Sequence, residues 1–304
     1  MGYAIQTFGL VRKFGKKTAV CDLNLKVPER SVFAFLGPNG AGKTTTIKTL
    51  VNILSPSAGQ AQVLGVDSRK LGPLEFSQIG YVSVDQQLPE WMKIGEFLAY
   101  CKNMYSTWDD QFCQEIISQF NLPLNEPIKN LSRGMRMKAA LVSSIAYRPR
   151  LLIFDEPFSG LDPLVRQDFI DGILKLTEAQ HWTIFISSHD IDEVERLADW
   201  VGIIDQGQMK IQEETDSLLQ RFRKVEVVFQ EDVQLPQKAV PQTWLFFQAS
   251  QRKVQFIDSM YEDQGLLEAT FRGFYPGATH LSVSAMSLKE IFLVLAGTFK
   301  MTNR

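Results

Sequence analysis

The sequence is poor in cysteine, in long apolar runs and in any excess of one charge. Three cysteines among 304 residues, Cys21, Cys101 and Cys113, include no CxxC pair and leave an odd count. That pattern suggests neither a disulfide framework nor a zinc ribbon and fits a reducing compartment. The most apolar windows, SVFAFLG and EIFLVLAGTF, fall short of the roughly 18 to 20 residues that span a bilayer. The opening MGYAIQTFGLVRKFG has neither a long apolar core nor a small-residue cleavage site, so no signal peptide is expected. A net charge of −2 argues against a protein whose main work is coating nucleic acid, which needs a broad basic surface. Internal repeats and low-complexity tracts are also missing.

What is present is ordinary globular material, 45% hydrophobic and 22% charged. The length suits one large domain and a smaller one. SVFAFL (31–36), IGYVSV (79–84), LLIFDEP (151–157), TIFISSH (183–189) and WVGIID (200–205) read as strands, two of them apolar on both faces as buried parallel strands are. Helical patterns lie between them: TTIKTLVNIL, stopped at Pro56, and stretches around 94–120, 133–147, 163–179 and 190–198. This alternation predicts an α/β fold with a mostly parallel sheet. Beyond about residue 217 the texture changes. KVEVVF, WLFFQAS, KVQFID and THLSVSA read as strands, YEDQGLLEATFRGF and SLKEIFLVLAG as helices, giving a small α+β domain over 218–304. Leu288, Ile291, Phe292 and Leu295 share one face of the last helix.

GPNGAGKT, Gly37 to Thr44, matches G-x-x-x-x-G-K-[ST] and has the strand before and helix after that the motif requires. Across Gly37, Pro38, Asn39, Gly40, Ala41 and Gly42 the backbone N–H groups can turn inward around phosphate oxygens, with Lys43 reaching the β and γ phosphates and Thr44 offering a hydroxyl to Mg²⁺. Thr45 can add a bond near the α phosphate. LLIFDEP ends an apolar strand in Asp155, suited to the Mg²⁺ shell, and Glu156, suited to polarising an attacking water.

GPNGAGKTT, LSRGM (131–135), LLIFDEP, SGLD (159–162) and ISSHD (186–190), in that order, make residues 3–217 resemble the nucleotide-binding subunit of an ATP-binding cassette (ABC) transporter. The resemblance implies a RecA-like P-loop core, an N-terminal antiparallel β part and a helical subdomain at about 90–147, within a domain over 1–217. It implies ATP and Mg²⁺, with Glu156 and His189 catalytic and Phe14 stacking on adenine. Asp162 then organises a dimer interface, while Ser132 and Gly134 contact the γ phosphate held by the opposite subunit. A helix N-terminus with Ser132 as cap suits an anion on physical grounds, and Arg133 adds positive charge there. Such a site lacks its own phosphate loop and so needs a partner chain to bring the nucleotide, which implies a dimer with a second ABC ATPase subunit, a homodimer by default. Arg133 and Met135 replace residues of the usual LSGGQ, and Val84 stands where a metal-contacting glutamine is usual, so that either the loop reshapes to bring in Asp85 or Gln86, of which Gln86 is the candidate, or the contact is absent. Arg136 and Lys138 read as solvated cations on a helix face.

The resemblance further implies a multi-span permease docking near residues 85–105, with Trp91 or Met92 exposed to receive it, and no direct nucleic-acid partner. The C-terminal part resembles subunits paired with a separate exporter permease, placing the chain peripherally at the cytoplasmic face of the membrane. Two alternatives are a soluble ATPase of this class acting on DNA or ribosomes and an ATP-binding regulatory module with little turnover. The first lacks the second cassette or coiled-coil insertion it generally carries, and intact Lys43, Asp155, Glu156 and His189 argue against the second.

Overall fold

The computed structural model describes residues 2–180, 182–232, 239–276 and 278–302. Two compact units divide the chain, Met1–Gln212 and Glu213–Arg304.

In the first unit, β1 (Tyr3–Phe14) pairs antiparallel with β2 (Lys17–Leu23) and β3 (Lys26–Pro28). Next come β4 (Val32–Leu36), α1 (Lys43–Leu50), β5 (Ala58–Val63), β6 (Val66–Asp67), α2 (Pro73–Phe76) and β7 (Ile79–Ser83). The helical stretch is α3 (Ile94–Lys102), α4 (Asp110–Gln119) and α5 (Arg133–Ile145), followed by β8 (Leu151–Asp155), α6 (Pro163–Gln180), β9 (Thr183–Ser188), β10 (Trp200–Asp205) and β11 (Gln208–Glu214). The main sheet has the order β11-β10-β4-β9-β8-β7, parallel from β10 to β7. All five residues of β4 and of β8 are buried, which explains their unbroken apolar sequence. The smaller sheet, β2-β1-β5-β6 with β3 on β1, is antiparallel.

In the second unit, α7 (Thr215–Arg221) leads into β12 (Arg223–Phe229), β13 (Trp244–Ser250), β14 (Lys253–Asp258), α8 (Gln264–Phe274), β15 (Ala278–Ala285) and α9 (Leu288–Thr302). Its antiparallel sheet runs β13-β14-β12-β15. Val225, Val227, Trp244, Phe256 and Phe271 are at the centre of its own core.

Three helix expectations change. The helix after the glycine loop stops at Leu50, because Asn52 turns left-handed at φ 57 and Ile53 and Leu54 bond back to Lys48 O. The stretch 94–120 is two helices. Turns fill 103–108, Tyr105 stacks on Tyr147 at 3.8 Å, and the Asp109 carboxylate accepts the Phe112 N–H to start α4. Residues 190–198 form turns rather than a regular helix, since the Ser188 hydroxyl and Asp190 carboxylate accept the N–H groups of Asp190 and Asp192.

Candidate functional site

The site lies where the carboxyl ends of the parallel strands meet, the usual place for ligands on such sheets. Register sets Ser83, Asp155 and Ser187 side by side across β7, β8 and β9. From β4 the chain runs into the loop 37–42 and then α1. Gly37 is buried, and a Cβ there would come within 2.3 Å of Ile204 O. Gly42 adopts φ 112 with a would-be Cβ 2.5 Å from Ala19 O, so glycine is required at both ends of the loop. Lys43 opens α1 and is only 5% exposed. Its ammonium donates to Gly37 O at 2.6 Å and Pro38 O at 3.3 Å, and lies 3.1 Å from Glu156 Oε1.

Asp155 is 2% exposed, and its Oδ1 accepts the Thr44 hydroxyl at 3.0 Å and the Ser187 hydroxyl at 2.9 Å. Burial pushes its carboxyl above the usual range, while the two hydroxyl bonds pull it back. Glu156 takes a left-handed φ of 53, a conformation costing about 1 kcal/mol for a non-glycine residue. Its N–H donates to Ser187 Oγ at 3.0 Å. Its carboxylate then bridges two side chains: Oε1 faces the Lys43 ammonium, and Oε2 is 2.6 Å from His189 Nδ1, which donates to it when Nδ1 carries the proton. Phe14, Asn39, Gly40, Lys43, Thr44 and Glu156 help line a cleft of about 270 Å³ that also takes in Thr45. Phe14 is 45% exposed at its wall with the Arg12 guanidinium 4.6 Å from its ring centroid, not a core residue. Thr44 and Asp155 are all-oxygen donors beside a desolvated negative charge. That chemistry fits Mg²⁺, which binds through one or two carboxylates and completes its shell with water and substrate phosphate.

The other expected residues do not line this cleft. Ser132 caps α5, its hydroxyl accepting the Met135 N–H at 3.3 Å, and is exposed. Gly134 is buried, where a Cβ would meet Val165 Cγ1 at 2.5 Å, so its lack of a side chain serves packing of α5 on α6. The Asp162 carboxylate accepts the Val165 N–H at 3.0 Å and caps α6. Arg133 lies against the same loop: a Cβ on Gly160, at φ 70, would be 2.3 Å from its Nη1. Gln86 supplies nothing to Asp155. After Ser83 the chain turns, Gln86 N–H bonding back to Ser83 O at 3.0 Å, and the exposed Gln86 lines two other cavities.

Lys138 is corrected too, being 8% exposed with Nζ 3.7 Å from Asp168 and 5.8 Å from the Phe120 ring centroid. Arg136 is a cation on the helix face as expected, its side chain 40% exposed, 3.2 Å from Glu90 and donating to Lys129 O at 3.0 Å. Trp91 is 82% exposed, Met92 intermediate. Ser187, which joins Asp155 to the Glu156 backbone, escaped the sequence reading. Its signal was a serine one residue before a strand's end and two before His189.

The sequence profile of the ABC transporter family matches residues 20–159, which carry the glycine loop, the Ser132 cap and the Asp155–Glu156 pair. An uncharacterized ABC transporter ATP-binding protein of Bacillus subtilis strain 168, YcbN, is 32% identical over 215 residues, 69% of each chain. The chain belongs to the ABC transporter family. It is an ABC ATPase subunit, with the α/β fold of that class. The bacitracin transport ATP-binding protein BcrA of Bacillus licheniformis is 31% identical over 226 residues, 74% of each chain. A solved ATP-binding subunit of an ABC transporter superposes with a TM-score of 0.64 at 24% identity, over 71% of this chain and 91% of that one. Among the described residues of this ABC subunit, no helix is long and apolar enough to cross a membrane.

Proposed function

We propose that the chain hydrolyses ATP at sites shared between two copies of itself and drives a separate membrane permease in export. The observation that carries this reading is Glu156, held 3.1 Å from Lys43 and 2.6 Å from His189 at the mouth of the phosphate loop. Lys43 withdraws from Gly37 O and Glu156 to meet β and γ phosphate oxygens, and its departure frees Glu156 Oε1 to accept a proton from water. His189 keeps the other carboxylate oxygen oriented and can turn toward the γ phosphate. Thr44 and Asp155 would hold Mg²⁺, which neutralises charge on the phosphate oxygens when bound. Ser132, Gly134 and Arg133 would present the positive end of α5 to the nucleotide of the second copy, with Asp162 at the same face.

Support for a membrane partner comes from a largely apolar groove of about 500 Å³ lined by Ile53, Phe76, Leu88, Tyr100, Met104 and Tyr105. Ile53, Tyr100 and Met104 are each more than half exposed. Exposed apolar surface gathered in one groove suits an inserted apolar segment. A bacitracin-transport relative supports export, and peripheral attachment at the cytoplasmic face follows from this reading. ATP turnover of the chain and of Glu156→Gln tests it, with size-exclusion chromatography in ATP and Mg²⁺. Turnover should fall about 10²-fold or more in the variant, which should retain ATP and accumulate as a dimer. Full-rate hydrolysis by Glu156→Gln would refute the assignment.

A further inference from the structure

His189 is flanked by two residues, Ser188 and Asp190, that belong to one ionic network around a buried carboxylate, Glu193. Glu193 is 4% exposed, its Oε2 accepting the Ser188 hydroxyl at 2.6 Å and its Oε1 lying 3.2 Å from Arg166 Nη1. The same guanidinium nitrogen is 3.7 Å from Asp190 Oδ2. The Ser188 hydroxyl also accepts the Asp190 N–H at 2.9 Å, closing a ring around the backbone of His189. Burial pushes the Glu193 carboxyl above the usual range against the pull of Ser188 and Arg166. Arg166 sits in the first turn of α6, where its N–H donates to Asp162 O at 2.9 Å. Just ahead of it, two residues past Asp162, Leu164 is an apolar side chain 80% exposed.

We propose that Arg166 and Glu193 are positioning residues that couple the Asp162 turn to His189, so that pressure on that turn sets the histidine which orients Glu156. One guanidinium nitrogen of Arg166 meets both the Glu193 and Asp190 carboxylates, and a buried carboxylate left without it is an uncompensated charge. A shift of the first turn of α6 therefore carries Glu193 and Ser188 with it. Arg166 and Glu193 need touch no substrate, and the coupling rests on the ATPase reading above.

A double-mutant cycle on the full chain decides the matter, with steady-state ATPase and binding of a fluorescent ATP analogue as readouts. Glu193→Gln keeps the size and the Ser188 acceptor but removes the charge, and Arg166→Gln removes the other partner. Each should lower kcat about tenfold with KM within about twofold, and the pair together should also lose about tenfold rather than a hundredfold. In a His189→Ala background, followed in single turnover, Glu193→Gln should change the rate less than about twofold, because it acts through the missing imidazole. Additive losses, or the same tenfold loss without His189, would overturn the coupling while leaving the ATPase reading intact. A parent that hydrolyses no ATP would overturn both. If Glu193→Gln fails to fold, Glu193→Asp, which keeps the charge but draws it back from Arg166 and Ser188, takes its place in the same cycle.

Discussion

At 2% exposure Asp155 keeps its carboxylate among strand backbones with two hydroxyls, from Thr44 and Ser187, in place of a water shell. Its folded pKa is raised above the ordinary value of 3.8 by burial. As pH rises past that value the unfolded chain releases the proton first, so the native state binds more protons and stability falls with rising pH. Above the raised pKa the penalty is complete. Asp155→Asn retains an oxygen to accept both hydroxyls and carries no charge. It should stabilise the nucleotide-free chain at pH 7 by about 1 kcal/mol, with the gain shrinking as pH falls toward the point where the parent carboxyl is protonated. Denaturant midpoints of parent and variant across the acid range measure this, and a gain that does not vary with pH would contradict it. The same variant should lose Mg²⁺-dependent turnover, because the charge that destabilises the empty fold is the charge a cation needs.

Between helices, α5 comes close to α6 where Gly134 faces Val165, with a would-be Cβ 2.5 Å from Cγ1. A β-branched side chain on a helix has essentially one rotamer, so Val165 cannot swing aside. Gly134→Ala should therefore destabilise the chain, by about 1 kcal/mol after the overpacking penalty is set against the roughly 0.5 to 1 kcal/mol that alanine gains over glycine in a helix. In a Val165→Ala background the sign should reverse and the same substitution should stabilise. Urea denaturation of the four chains reads the cycle, and destabilisation in both backgrounds would show that the glycine answers to something other than Val165. This contact also marks what the sequence makes legible. LLIFDEP and SVFAFL read as parallel strands because burial on both faces leaves an unbroken apolar run, and GPNGAGKT reads as a phosphate loop because its spacing is local. Lys138 was misread because the face it occupies is covered by Phe120 and Asp168, residues distant along the chain. The Arg166–Glu193 bridge has the same origin, side chains that only the fold brings near, whereas the helix at 190–198 is lost to local bonds from the Asp190 and Asp192 N–H groups to side chains two residues before them. Gln86 shows the limit from the other side: its place is set by the turn after Ser83, closed by the Gln86 N–H on Ser83 O, and no local pattern fixes that turn.

At the scale of the molecule, each unit carries a core of its own. Phe33, Phe35, Ile47, Phe185 and Ile204 are in the core of the first, around the strands that position the phosphate loop, and Trp244, Phe256 and Phe271 stack in the second. All residues of the nucleotide cleft belong to the first unit. A ligand that binds only folded protein adds RT ln(1 + [L]/Kd), about 2.7 kcal/mol at a hundredfold excess over Kd, to the stability of whatever unfolds together with the site. Where two cores open separately, that increment is confined to one of them. Hydrogen exchange of Glu156→Gln with and without ATP and Mg²⁺ tests the confinement amide by amide. The strands β4, β8 and β9 and the start of α1 should slow by up to about a hundredfold, since 1.4 kcal/mol is a factor of ten, while β12 and β14 should exchange at unchanged rates. Equal slowing in β12 and β14 would mean that the second sheet unfolds only with the first, and the ATP-dependent stability of the subunit would then extend through the C-terminal unit rather than stop at Gln212.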